Sequence, residues 1–61
     1  MANMYATKRF AILSKELDDA RSLLENNKAC RKLTSDWEIN LLSDAAFLCE
    51  RIANKFREQG L

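Results

Sequence analysis

From Met4 to Asn27 the apolar residues Ala6, Phe10, Leu13, Leu17, Ala20 and Leu24 recur at steps of four and three, the spacing of one face of an α-helix packed lengthwise on another. Tyr5, Ile12 and Leu23 widen one flank of that seam. A second periodic segment runs from Trp37 to Phe56 and carries two adjoining stripes. Leu42, Ala46, Cys49, Ala53 and Phe56 form the first, and Trp37, Leu41, Ala45, Leu48 and Ile52 form the second beside it. At 100° per residue these stripes cover about half of the helix circumference, whereas a helix with one neighbour usually shows a stripe about 100° wide. The first segment can cover one stripe, so the second asks for another surface.

Local signals place the helix ends. Asn26 and Asn27 tolerate helix-ending conformations, and Leu33-Thr34-Ser35-Asp36-Trp37-Glu38 contains Ser35 and Glu38 at capping-box spacing, with Thr34 as an alternative cap. Gly60 follows the last periodic residues. The pattern therefore predicts an all-α chain: a single helical-hairpin domain over residues 1–61, with helix one at about 4–27, a connection at about 28–34 and helix two at about 35–58. Each long helix spans about 35 Å at ~1.5 Å per residue. Nearly equal helices with a short link favour an antiparallel two-helix hairpin, and one continuous long helix is the competing arrangement. Lys15 with Asp19 and Arg21 with Glu25 are spaced to pair on the exposed side of helix one.

Composition sharpens this picture. The absence of proline and the single glycine agree with helix throughout. A chain of 61 residues buries little and usually needs a disulfide, a metal or oligomerisation as reinforcement. The chain has two cysteines and no histidine, too few ligands for a common zinc site, and no cofactor is expected. Cys30 falls in the connection and Cys49 about 20 Å along helix two, too far apart for a disulfide. Oligomerisation is the expected reinforcement, as a homodimer forming a four-helix bundle. Free thiols, an N-terminal stretch broken by Asn3, Thr7, Lys8 and Arg9, and no long apolar run point to a cytoplasmic protein without a membrane span.

Ten Lys and Arg against nine Asp and Glu leave a net charge of +1, so the arrangement of charge matters more than its sum. Lys28, Arg31 and Lys32 mark the connection, and Lys8 and Arg9 would meet Arg51, Lys55 and Arg57 at the open end. Cations near helix C-termini complement the dipole, which accounts for Lys28, Lys55 and Arg57 without a ligand. If the end clusters combined into one face, Lys8, Arg9, Arg51, Lys55 and Arg57 would be the nucleic-acid contacts. Catalysis has no foothold: there is no histidine base and no glycine-rich phosphate loop, and Cys49 sits on a core stripe as a small hydrophobe, so the chain reads as a non-enzyme.

Candidate partner or dimer contacts are Trp37, Leu41, Ala45, Phe47, Leu48 and Ile52. Phe47 stands out because it projects among Asn40, Ser43, Glu50, Arg51 and Asn54, with Ile39 on the same broad side, offset by about a turn. Trp37 has a simpler reading as a staple against Leu33 that fixes the turn.

Two helices of similar length with the polar link Glu25-Asn26-Asn27-Lys28 and the alanine-rich Ala45-Ala46-Phe47-Leu48 resemble the small co-chaperones of type III secretion needle subunits. The same layout is similar to the plasmid-encoded RNA-binding regulators of the Rop type. Leu33-Thr34-Ser35-Asp36 and Ser43-Asp44-Ala45-Ala46 resemble segments of Hha-type modulators of nucleoid proteins, with Phe47 where that family has an acidic residue. The uncovered second stripe makes the expected function that of a small helical module binding an apolar surface of another protein as regulator, inhibitor or chaperone, and the alternative is a dimeric nucleic-acid-binding regulator similar to the Rop type. A structural subunit of a larger assembly is the third expectation.

Overall fold

The computed structural model describes residues 3–61. These form three helices: α1 (Tyr5–Asn26), α2 (Lys28–Leu33) and α3 (Asp36–Glu58). The long helices α1 and α3 pack antiparallel. Their cross-contacts step down one helix as they climb the other, with the Ala6 amide on the Leu61 backbone oxygen at 2.9 Å, Phe10 edge-on to Phe56 with ring centroids 5.5 Å apart, and the Ser14 hydroxyl on the Ala46 carbonyl at 2.8 Å. The result is a slab of 48 × 15 × 11 Å, two helices wide and one helix thick.

The connection expected at 28–34 is itself helical. Asn27 is extended at φ −100°, ψ 116°, ends α1, and accepts the Cys30 amide on its side chain at 3.0 Å, so one residue closes a helix and caps the next. Thr34 stops α2 by donating its hydroxyl to the Cys30 carbonyl at 2.8 Å, and Arg31 bridges the Thr34 carbonyl and the Asp36 carboxylate. The signal was present in Asn27 followed by the helix formers Lys28-Ala29-Cys30-Arg31-Lys32-Leu33.

At the start of α3 the capping box forms. The Glu38 amide donates to Ser35 Oγ, and the Glu38 carboxylate accepts from the Ser35 amide at 3.0 Å and from its hydroxyl at 2.8 Å. At the far end Gly60 adopts φ 73°, a left-handed conformation in which a side chain would crowd the backbone. The Gly60 amide returns to the Arg57 carbonyl at 3.1 Å and the Leu61 amide to the Phe56 carbonyl at 2.9 Å, the paired bonds of a Schellman cap. That turn aims the Leu61 oxygen at the first amides of α1, where Asn3 Oδ1 also accepts the Tyr5 amide at 2.9 Å. The start of α1 is thereby tied to the turn that follows α3.

The α3 side of the core is Ile39, Leu42, Ala46, Cys49, Ala53 and Phe56, which is the first stripe extended by one turn. Ile39, expected on the outer side with Phe47, is instead only 6% exposed. The reason is arithmetic: Ile39 precedes Leu42 by three and Ala46 by seven, so it continues the same column toward the helix start. On α1 the buried and half-buried positions are Ala6, Thr7, Phe10, Ser14, Leu17, Arg21, Ser22 and Leu24, which keeps Ala6, Phe10, Leu17 and Leu24 of the expected seam and loses its other two residues. Leu13 and Ala20 are exposed, and α1 is rotated so that Thr7 and Ser14 take their place. The small Ala46, Cys49 and Ala53 of α3 leave room for small side chains opposite, and Ser14 gains a hydrogen bond there that leucine cannot make.

Arg21 holds both Asp18 at 2.9 Å and Glu25 at 2.7 Å, and hydrogen bonding to Asp18 and then Glu25 raises the guanidinium pKa further. Lys15 lies instead beside a groove between the helices. Cys30 and Cys49 are both free thiols. No helix among the described residues is long and apolar enough to cross a membrane.

Candidate functional site: an apolar broad side

Because the slab is one helix thick, each broad side is built from both long helices, and the two sides differ in chemistry. One carries a groove lined by Ser14, Lys15 and Asp18 of α1 and by Ser43, Phe47, Glu50, Asn54 and Arg57 of α3. The other carries a groove where Leu24 of α1 meets Trp37, Leu41, Leu42 and Ala45 of α3.

The composition of the second side follows from helical spacing. On α1, Leu13, Leu17, Ala20 and Leu24 stand in one column at steps of four, three and four, so Leu13 and Ala20 share the side on which Leu24 lines its groove. On α3, Leu48 and Ile52 continue Leu41 and Ala45 at the same spacing. Trp37 is 65% exposed, and Leu41 and Leu48 are each 55% exposed. A single exposed leucine means little, but here exposed apolar groups of two helices share one side of the slab. Arg9 and Glu16 border it beside Ile12 and Leu13.

Of the expected contact residues, Trp37, Leu41, Ala45, Leu48 and Ile52 are brought together on this side. Phe47 is not: it is 62% exposed on the polar broad side, beside Ser43, Glu50 and Asn54. The staple of Trp37 on Leu33 does not form, since Leu33 is 87% exposed at the end of α2 and shields nothing. Leu13 and Ala20 enter the surface unexpectedly, because the sequence pattern had spent them on the α1 seam.

The five basic residues read as possible nucleic-acid contacts are spread around the molecule. Arg57 donates to Asn54 Oδ1 at 2.8 Å within the polar groove, whereas Arg9 lies beside Leu13 on the apolar side. Lys8, Arg51 and Lys55 are exposed on the outward flanks of α1 and α3. Among the described residues there is no group of three or more metal-ligating side chains.

Glu38 is the one acidic group near the apolar side with a displaced titration. The Ser35 amide, and after it the Ser35 hydroxyl, donate to its carboxylate and hold its pKa below the ordinary carboxylate range. Asp44, Arg51 and Lys55 make no ion pair among the described residues.

The chain matches no family model, no curated protein and no solved structure.

Proposed function

We propose that this chain is a helical protein–protein interaction module, acting as a regulator, inhibitor or chaperone by laying its apolar broad side on another polypeptide. One observation carries the reading: Trp37, Leu41 and Leu48 of α3 are more than half exposed on the same side as Leu13 and Ala20 of α1. The surface has an energetic counterpart in the thinness of the core. Among the described residues the fully buried apolar ones are Ile39, Ala46, Cys49 and Ala53, of which only Ile39 is large. Covering a large apolar side chain fully is worth about 1.5–3 kcal/mol, so covering several half-exposed ones adds about 1 kcal/mol each to a marginal fold.

The interaction works by occupancy. Leu41, Ala45, Leu48 and Ile52, standing at i, i+4, i+7 and i+11 along α3, insert between side chains of the facing surface, the general mode of helix recognition in an apolar groove. Self-association into a four-helix bundle is one form of this, and docking on a different protein is the other.

The test is a photo-crosslinking amino acid in place of Leu48, with the same group in place of Ser43 on the polar side as the control, illuminated in the source cells. Discrete protein adducts through position 48 and none through position 43 are expected. Absence of protein adducts at position 48, or equal yields at both positions, would overturn the reading.

A further inference from the structure

We infer that the occupant of the apolar side is a second copy of this chain, with α3 lying antiparallel on the partner's α3 about a two-fold axis that passes between Ala46 and Phe47. The inference rests on the interaction reading above and names its partner. It follows from a self-complementarity in the exposed stripe. Glu38, Ala45 and Ile52 occupy one position of a seven-residue repeat, and Leu41, Leu48 and Lys55 occupy another, together forming a seam with alternating steps of three and four. Reversing the helix about the point between Ala46 and Phe47 maps one set onto the other. Leu41 then faces Ile52 of the second copy, Ala45 faces Leu48 so that small meets large, and at both ends Glu38 faces Lys55.

The flank of the seam is complementary in charge. Asp44 and Arg51 stand one repeat apart on the outward edge of α3, and under the same reversal Asp44 lies level with position 49 of the other copy, two residues or about 3 Å along the axis from its Arg51, a step the long guanidinium side chain spans to reach the carboxylate. No like charges are opposed. A parallel arrangement would instead set Glu38 on Glu38 and Lys55 on Lys55. Asp44, Arg51 and Lys55 are also free to serve, because none is engaged in an ion pair among the described residues.

The dimensions agree. The broad side of the slab spans 48 × 15 Å, long enough to hold the whole seam from Glu38 to Lys55, about 26 Å at ~1.5 Å per residue. The hydrogen bond from Ser14 to Ala46 puts those residues at one level, so the same axis crosses α1 near Leu13 and Ser14. Each α1 then lies antiparallel on its own copy, and Leu13 and Ala20 enter the interior of a four-helix bundle in which every adjacent pair is antiparallel.

Sedimentation equilibrium of the full chain and of two charge variants tests this. The wild type is expected at twice the 7.0 kDa chain mass. Asp44→Arg, which sets two pairs of arginines against each other, should weaken the dimer about tenfold, and the exchange Asp44→Arg with Arg51→Asp should restore it. Both sites are exposed, and unchanged helicity by circular dichroism verifies that the variants fold. A dimer indifferent to Asp44→Arg, or one that the exchange does not rescue, overturns the inference. So does a wild-type monomer at millimolar concentration. If that monomer still gives adducts to other proteins through position 48, the interaction reading stands and only the second copy falls; without such adducts both fall.

Discussion

The Ser14 hydroxyl donates to the carbonyl oxygen of Ala46 across the two long helices at 2.8 Å, and this bond marks the rotation of α1 that the apolar pattern does not foretell. Seven residues earlier in the same column Thr7 is 4% exposed, and its Oγ1 has no hydrogen-bond partner. The two hydroxyls therefore have opposite worth. Ser14→Ala should cost about 1 kcal/mol of stability, the net value of one part-buried hydrogen bond. Thr7→Val keeps the shape, removes a buried unsatisfied hydroxyl, and should stabilise by about 1 kcal/mol. Urea unfolding of both variants at one fixed protein concentration checks the pair, and equal signs would contradict the packing described.

Ile39, 6% exposed, is the one large apolar side chain among the described residues that is buried rather than half-buried. Ile39→Ala removes buried apolar volume with little around it free to collapse, and should cost about 2–4 kcal/mol, a large part of the stability of a domain this small. A cost under about 1 kcal/mol in thermal or urea unfolding would put Ile39 on the surface after all.

The capping carboxylate of Glu38 gives a pH dependence whose sign is determined. Its pKa in the folded chain lies below the unfolded one, so its contribution is fully present above the unfolded carboxylate range, about pH 4.3, and is lost as pH falls through the lower folded value. Glu38→Gln retains a side chain that can accept from the Ser35 amide but does not titrate. Stability measured from pH 6 down to pH 2 should fall less steeply for this variant than for the wild type, and parallel curves would count against the cap as the source.

Gly60 at φ 73° closes the Schellman turn that brings the Leu61 oxygen to the Ala6 amide. Gly60→Ala should destabilise by about 1 kcal/mol, since the left-handed conformation is costly for a residue with a Cβ. Hydrogen exchange of the Ala6 amide should quicken with it, and protection unchanged from wild type would detach the start of α1 from that turn.

Much of this fold was legible along the chain because its signals are local. The capping box needs only Ser35 and Glu38 three residues apart, the C-terminal stop needs only Gly60, and the α3 column from Leu42 to Phe56 is set by spacing within one helix. The short α2 was equally local, in the cap of Asn27 on Cys30, but its polar residues gave it the look of a plain link.

What the sequence could not decide by itself is which way α1 faces. Phe10, Leu17 and Leu24 belong to two overlapping columns, one shared with Ala6, Leu13 and Ala20 and the other with Thr7, Ser14 and Arg21, and periodicity favours the greasier. The tertiary structure chose the second because Ala46, Cys49 and Ala53 present a shallow surface that small side chains fit closely, with a carbonyl at hand for Ser14. Helix formation is settled by neighbours a turn apart, whereas rotation about a helix axis is settled by the shape of the other helix. That choice moved Leu13 and Ala20 from the seam to the broad side, and with them extended the apolar surface from one helix to two.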